Sequence, residues 1–398
     1  MKIKKKFVIA VYKKLNKTEE RILNSNLSEW LKVIPENSSL SVLDISKFYY
    51  GDKFKPIKNI FKKKVNYIEI TSLTMLGDFT KDHKCFCFGF TERTLKEFYI
   101  LYLFKKFKIH LIGFSNVGFF ANVENYSQIN FFLKMRWIFS FRLSYYFYRI
   151  LISLRLTPQI EYFLDSSNSR IKKLNSINKK KSLFYKKIFP PYYKNLIRIN
   201  SLYSNIKNAK FTKKNKIITY IDSGLGHPDV KKLNLEQDIK IFEYYKKLNF
   251  FLKKIKNKKK KIIYFCLHPK AKYPSSILQL LKKNFVVKVG IKDSYLYNSE
   301  FLILNTSSLV NKIIFIKKKL IIVNSINLGN WINKKILNLI NEIKLCNINL
   351  DNKFFDYNKI FKNSFNSLKY YDSYIKNNLT EDKTKNYYES IKYKLNNL

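Results

Sequence analysis

The run Lys261-Ile-Ile-Tyr-Phe-Cys-Leu-His268-Pro269-Lys270 constrains the fold more than any other stretch of this chain. An unbroken apolar segment, Ile262 to Leu267, stops abruptly at a His-Pro pair. A short apolar run bounded by breakers is the pattern of a strand buried on both faces, as in a parallel sheet. Proline ends such a strand and fixes the path of the loop behind it. Two further segments repeat the design. Lys216-Ile-Ile-Thr-Tyr-Ile runs into Asp222-Ser223-Gly224, and Phe301-Leu-Ile-Leu-Asn runs into Thr306-Ser307-Ser308. Open α/β sheets bind ligands at the carboxyl ends of their strands, so three strands with three polar tips imply a site.

The alternation continues upstream. Phe7–Val11, Ser41–Ile45, Val65–Ile70, Lys84–Phe90 and Ile109–Phe114 read as strands, and Thr91–Phe107 has helical spacing of its apolar residues. In the strand-like Cys85-Phe-Cys87-Phe both thiols share one face. Leu235 to Lys260 reads as a long helix with a lysine-rich end, and the chain after Trp331 reads as largely helical. Strands alternating with helices predict an α/β protein. A length of 398 residues, 46% hydrophobic, predicts two domains with large cores. The expected division is 1–204 for a first Rossmann-like domain, 205–215 for a lysine- and asparagine-rich linker, 216–345 for a second, and 346–398 for a helical tail. Residues 166–203, with Pro190-Pro191, read as connecting structure.

The formal net charge of +49 suggests a nucleic-acid binder at first. Only eight of the 77 basic residues are arginine, the remaining 69 being lysine spread along the whole chain. Arginine is the usual bidentate reader of phosphate and guanine, so its scarcity argues against that class. Abundant Lys, Asn, Ile, Phe and Tyr fit the drift of an AT-rich genome. Attraction to an anionic membrane surface or to anionic substrates is the functional reading of the charge. Residues 131–153 are aromatic and carry Lys134, Arg136, Arg142 and Arg149 with no acid. They read either as a helix lying in a membrane interface or as a core helix with a solvated basic edge. No apolar run of about 20 residues spans a bilayer. The apolar stretch after Met1-Lys-Ile-Lys-Lys-Lys is too short for a signal peptide, so the expected location is the cytoplasm, at the inner membrane face if the chain binds lipid. The four cysteines have no zinc-type spacing and suit a reducing compartment.

Each polar tip has a plain structural reading beside the functional one. His268 could be a satisfied structural histidine or a donor to a phosphate oxygen. Thr306, Ser307 and Ser308 could simply cap a helix or bind an anion. Asp222 could be a turn acid or a general base; Gly224 and Gly226 allow tight turns; Asp229 is a natural cap for the segment Val230–Leu235.

Together and in this order, Asp222-Ser223-Gly224, His268-Pro269 and Ser307-Ser308 resemble the motifs of bacterial sialyltransferases and related surface-glycan glycosyltransferases of the GT-B type, including the polysialyltransferase and family 52 groups. The resemblance covers roughly residues 216–325. It takes in Gly290, the segment Asp293–Tyr297, and Lys317-Lys-Lys-Leu-Ile-Ile-Val, where the family tends to carry a Lys-Pro pair. It implies a GT-B-like fold of two Rossmann-like domains with a cleft between them. It also implies an inverting transfer of sialic acid from CMP-sialic acid to a lipooligosaccharide or capsule glycan, without a metal or other cofactor. His268, Pro269, Thr306, Ser307, Ser308 and Gly224 would hold the nucleotide phosphate, His268 would assist the leaving group, and Asp222 would act as base. Ser223 stands where the family has a second acid, and Leu320 where it has the proline, so His227 or an acid of the first domain are alternative bases. A UDP- or GDP-sugar is the alternative donor.

Overall fold

The computed structural model describes residues 5–11, 17–36, 38–47, 65–88, 95–114, 143–168, 171–172, 174–176, 181–191, 193–205, 217–225, 239–307 and 309–398. The chain forms two compact units. The first comprises residues 1–116, 134–205 and 380–398; the second takes in 206–379.

In the first unit, β1 (Lys5–Val11), β2 (Ser39–Asp44), β3 (Asn66–Glu69), β4 (Lys84–Phe88), β5 (His110–Phe114), β6 (Ile160–Asp165) and β7 (Tyr193–Arg198) form one sheet in the order β3-β2-β1-β4-β5-β6-β7. Every pairing is parallel. Side chains alternate across it with the period of two that strands impose. Val8, Cys85 and Cys87 face one core, shared with α2 (Leu73–Lys81), α3 (Leu95–Lys106) and α4 (Leu143–Ser153). Phe7, Ile9, Phe86 and Phe88 face the other, shared with Leu27 of α1 (Lys17–Val33) and with Ile391 and Leu395 near the carboxyl terminus. Helices therefore cover both faces. A short α5 (Leu183–Ile188) precedes β7.

The second unit has β8 (Ile217–Ile221), β9 (Ile262–Leu267), β10 (Val286–Val289), β11 (Ser299–Leu304), β12 (Leu320–Asn324) and β13 (Cys346–Asn349), again all parallel, in the order β10-β9-β8-β11-β12-β13. That is the 3-2-1-4-5-6 order of a doubly wound dinucleotide-type sheet. Between its strands lie α6 (Ile241–Lys259), α7 (Ser275–Lys282), α8 (Asp293–Asn298), α9 (Val310–Phe315) and α10 (Gly329–Ile343), and after β13 come α11 (Tyr357–Asn366) and α12 (Tyr371–Tyr374). The expected α/β class with two Rossmann-like units is what the chain adopts.

Three expectations change. Residues 166–203 are not merely connecting structure, since β7 lies within them and β6 just ahead. The segment from 346 is not a helical tail, because Cys346–Asn349 pairs with β12 as the sheet's last strand. Residues 380–398, ending in α13 (Tyr387–Asn396), belong to the first unit, where Ile391 and Leu395 are fully buried. Of the basic aromatic stretch 131–153, only 143–153 is described, as α4. Arg149 there is 2% exposed, donating from Nε to the Pro190 carbonyl at 2.6 Å, so it does not face a membrane.

Candidate functional site

The strand order of the second unit reverses between β8 and β11, its topological switch point, and two of the three polar tips follow those strands. The third follows β9, the neighbour of β8. Parallel pairing puts all three at one edge of the sheet, the carboxyl edge where such sheets bind ligands.

Asp222 leaves β8 with its backbone N–H bonded to the Cys266 carbonyl at 2.9 Å. Its carboxylate is 3% exposed and accepts three hydrogen bonds. The Tyr245 hydroxyl donates to Oδ1 at 2.9 Å, and the Gly224 N–H and the Tyr273 hydroxyl donate to Oδ2 at 2.9 and 2.5 Å. Burial pushes the Asp222 carboxyl above its ordinary range, against the opposing pull of Tyr273, Tyr245, the Gly224 N–H and His268. Burial beside this carboxylate also raises the Tyr245 and Tyr273 hydroxyls, so both stay protonated as donors.

Tyr273 links this acid to the histidine loop. Its oxygen accepts the His268 backbone N–H at 2.9 Å while its proton goes to Asp222. Pro269 and Lys270 form the turn beyond, closed by the Ala271 N–H on the His268 carbonyl at 3.1 Å. The Lys270 N–H reaches His268 Nδ1 at 3.3 Å, so in the neutral ring Nδ1 accepts and Nε2 carries the proton. Gly224 is required for this approach. It has φ +73°, and a Cβ there would stand 2.8 Å from Cβ and Cγ of His268. The first two motifs are thus locked against each other, backbone to ring.

The third tip joins through side chains that sequence reasoning missed. Asn305, fully buried, accepts the Thr306 N–H on Oδ1 at 2.6 Å and donates to the Tyr244 hydroxyl at 3.4 Å, and Tyr244 in turn meets Tyr220 of β8 at 3.0 Å. Ser307 Oγ accepts the Leu309 N–H at 3.2 Å, an ordinary turn cap that still leaves its proton to donate. Adjacent Tyr244 and Tyr245 of α6 therefore serve the strand β11 tip and Asp222 respectively. The Ser223 hydroxyl is buried with no hydrogen-bond partner among the described residues. Ser308, Gly226, His227 and Asp229 lie outside the described residues, so that motif residue, that turn glycine, that alternative base and that cap candidate have no placement here. Among the described residues no three His, Cys, Asp or Glu side chains gather as a metal set.

No family model matches the chain. No curated protein matches it either. Solved structures to which it is similar include a candidate UDP-N-acetylglucosamine 2-epimerase from Listeria monocytogenes (TM-score 0.48, 9% identity, 98% of this chain and 95% of that one). The UDP-GlcNAc 2-epimerase of Methanocaldococcus jannaschii is another (0.45, 12%, 99% and 98%), as is MurG of Acinetobacter baumannii (0.41, 9%, 99% and 100%). At these scores the fold assignment rests on the two strand orders themselves.

Proposed function

We propose that the chain is a GT-B-type glycosyltransferase that takes a nucleotide-activated sugar and transfers it to a glycan or glycolipid acceptor. The observation that carries this reading is that Asp222, His268 and the Asn305–Ser307 tip follow three adjacent strands, β8, β9 and β11, at the carboxyl edge of a doubly wound sheet, with Gly224 packed against the His268 ring. His268 Nε2–H and the Thr306 and Ser307 hydroxyls form the donor set for the nucleotide phosphate, and His268 stabilises the charge on the departing phosphate.

We assign Asp222 as a positioning residue. Three donors already occupy its carboxylate, and through Tyr273 it fixes the His268 backbone. The base for the acceptor hydroxyl then lies elsewhere in the chain. The resemblance of the three motifs to those of bacterial sialyltransferases implies CMP-sialic acid as donor. A UDP-sugar is the alternative, and it is the class of ligand named for the epimerases above. Association with an anionic membrane surface at the inner face stays part of the proposal, without Arg149; no helix of the described residues is long and apolar enough to cross a bilayer.

Thermal unfolding with CMP, UDP and GDP, each in EDTA and in magnesium, tests the reading. A nucleotide at about one hundred times its Kd should stabilise the protein by about 2.7 kcal/mol. The gain should vanish in His268→Ala, whose transfer activity should fall by about 100-fold or more while its own melting is unchanged. The nucleotide that stabilises identifies the donor. Stabilisation by none of the three, or an effect indifferent to His268, overturns the proposal.

A further inference from the structure

A second constellation lies in the first unit, at the amino ends of β5, β6 and β7, the edge of that sheet opposite its strand carboxyl ends. A cavity of about 410 Å³ opens there, and five cations line it: Lys105, Lys108, Arg155, Lys187 and Lys194. The one acid in its wall, Glu161, is committed. Its Oε2 accepts Lys194 Nζ at 2.7 Å and lies 3.6 Å from His110 Nδ1. Among the described residues Lys105, Lys108, Arg155 and Lys187 have no acidic partner.

Helix ends account for some of this charge. α3, α4 and α5 all finish at the cavity, and cations favour helix carboxyl ends. Lys108 and Arg155 occupy left-handed positions just past α3 and α4, with φ 54° and 57°. Each helix closes with the paired bonds of a Schellman turn: Ile109 N–H to the Phe104 carbonyl with Lys108 N–H to Lys105, and Leu156 N–H to Leu151 with Arg155 N–H to Ile152. Three helix ends carry about −1.5 charges in total. Set with Glu161 against five cations, they leave an uncompensated charge of about +2.5. The cations thus exceed what capping requires.

A second observation points to an occupant. Thr157, in the same wall, is 3% exposed, and its hydroxyl is buried with no hydrogen-bond partner among the described residues. Buried hydroxyls are ordinarily bonded, and an orphan inside a cavity of excess positive charge is a donor awaiting an acceptor.

We propose that this cavity binds a phosphate-bearing anion, with Thr157 donating to a phosphate oxygen and Arg155, Lys108, Lys105 and Lys187 neutralising it. Every residue of the site belongs to the first unit, and the proposal does not depend on the function proposed for the second. The phosphate could belong to a soluble compound or to a lipid headgroup. Leu154 and Leu156, which flank Arg155, are 61% and 42% exposed and would meet acyl chains in the second case.

Two variants test the site without endangering the fold. Lys108→Gly with Arg155→Gly removes two charges and places at both turns the residue that the left-handed conformation favours. Thr157→Val removes only the orphan hydroxyl. Titration with inorganic pyrophosphate by calorimetry, in a His268→Ala background that silences the nucleotide site, should show binding that each variant weakens about tenfold or more. Cosedimentation with phosphatidylglycerol vesicles, against phosphatidylcholine, is the second arm. Loss of pyrophosphate binding assigns a soluble ligand; loss of vesicle binding alone assigns the headgroup. If neither probe binds, or both bind the variants as they bind the parent, the site is refuted.

Discussion

At the scale of single residues, Tyr273 governs the candidate site. One hydroxyl satisfies a buried carboxylate and a backbone N–H at once, donating to Asp222 and accepting from His268. Tyr273→Phe keeps the ring and its edge contact with Tyr245 but leaves both partners short. An unsatisfied buried polar group costs about 1–3 kcal/mol, so the variant should lose about that much in urea unfolding. Released from its anchor, His268 should also lose transfer activity by about ten- to a hundred-fold with the ring itself intact. Unfolding and turnover both equal to the parent would mean that Asp222 does not position the His268 loop. Little of this was legible beforehand. With 29 tyrosines in the chain, Tyr244, Tyr245 and Tyr273 look like core aromatics, and their hydroxyl partners Tyr220, Asp222 and Asn305 are well separated from them in sequence. His268 stood out because it ends an unbroken apolar run, Ile262 to Leu267, and a proline follows it.

At the scale of elements, the returning segment 380–398 depends on one buried asparagine. Asn200 Oδ1 accepts the N–H groups of Glu381 and Asp382 at 2.6 and 3.0 Å, and its Nδ2 donates to the carbonyls of Asp382 and Lys385 at 2.7 and 2.5 Å. Arg198 Nη2 adds a bond to the Thr380 carbonyl at 2.8 Å. Beyond this clasp, Asn386 and Glu389 close a capping box that starts α13, whose Ile391 and Leu395 bury against the sheet. Asn200→Ala should cost about 2–4 kcal/mol and raise amide exchange in 387–396 selectively, leaving that of α6 unchanged. Exchange in 387–396 equal to that of the parent would show the clasp to be dispensable. The elements themselves were unevenly legible. β1, β4, β8, β9 and β11 were evident as apolar runs. β13, reading Cys-Asn-Ile-Asn, alternates buried and exposed at the sheet's edge, too short and polar to mark a strand. β7 fails for the same reason, Lys194 and Asn195 being exposed within it. That the last helix packs in the first unit is a matter of tertiary contact, which no local pattern carries.

At the scale of the molecule, a formal charge of +49 must be carried by a chain with only 28 acids. Several lysines are neutralised locally, as Lys259 and Lys261 are by Glu300, but the excess is dispersed over both units. Like charges confined to a compact state repel one another more than in the expanded chain, so the charge lowers stability in proportion to its range. That range is about 30 Å at 0.01 M salt and about 3 Å at 1 M. Surface ion pairs pull the other way, yet each contributes about 0–1 kcal/mol, and screening weakens them as well. With basic residues outnumbering acids by 77 to 28, repulsion is the larger quantity. The melting temperature should therefore climb with sodium chloride across that range, on the order of 5 °C, where a few kcal/mol would be needed for a unit of this size. Chloride and perchlorate at equal ionic strength separate screening from specific anion binding. Equal shifts are the mark of screening, whereas a midpoint that stays flat or falls as salt rises would mean that the lysines are already balanced by the pairs the fold provides.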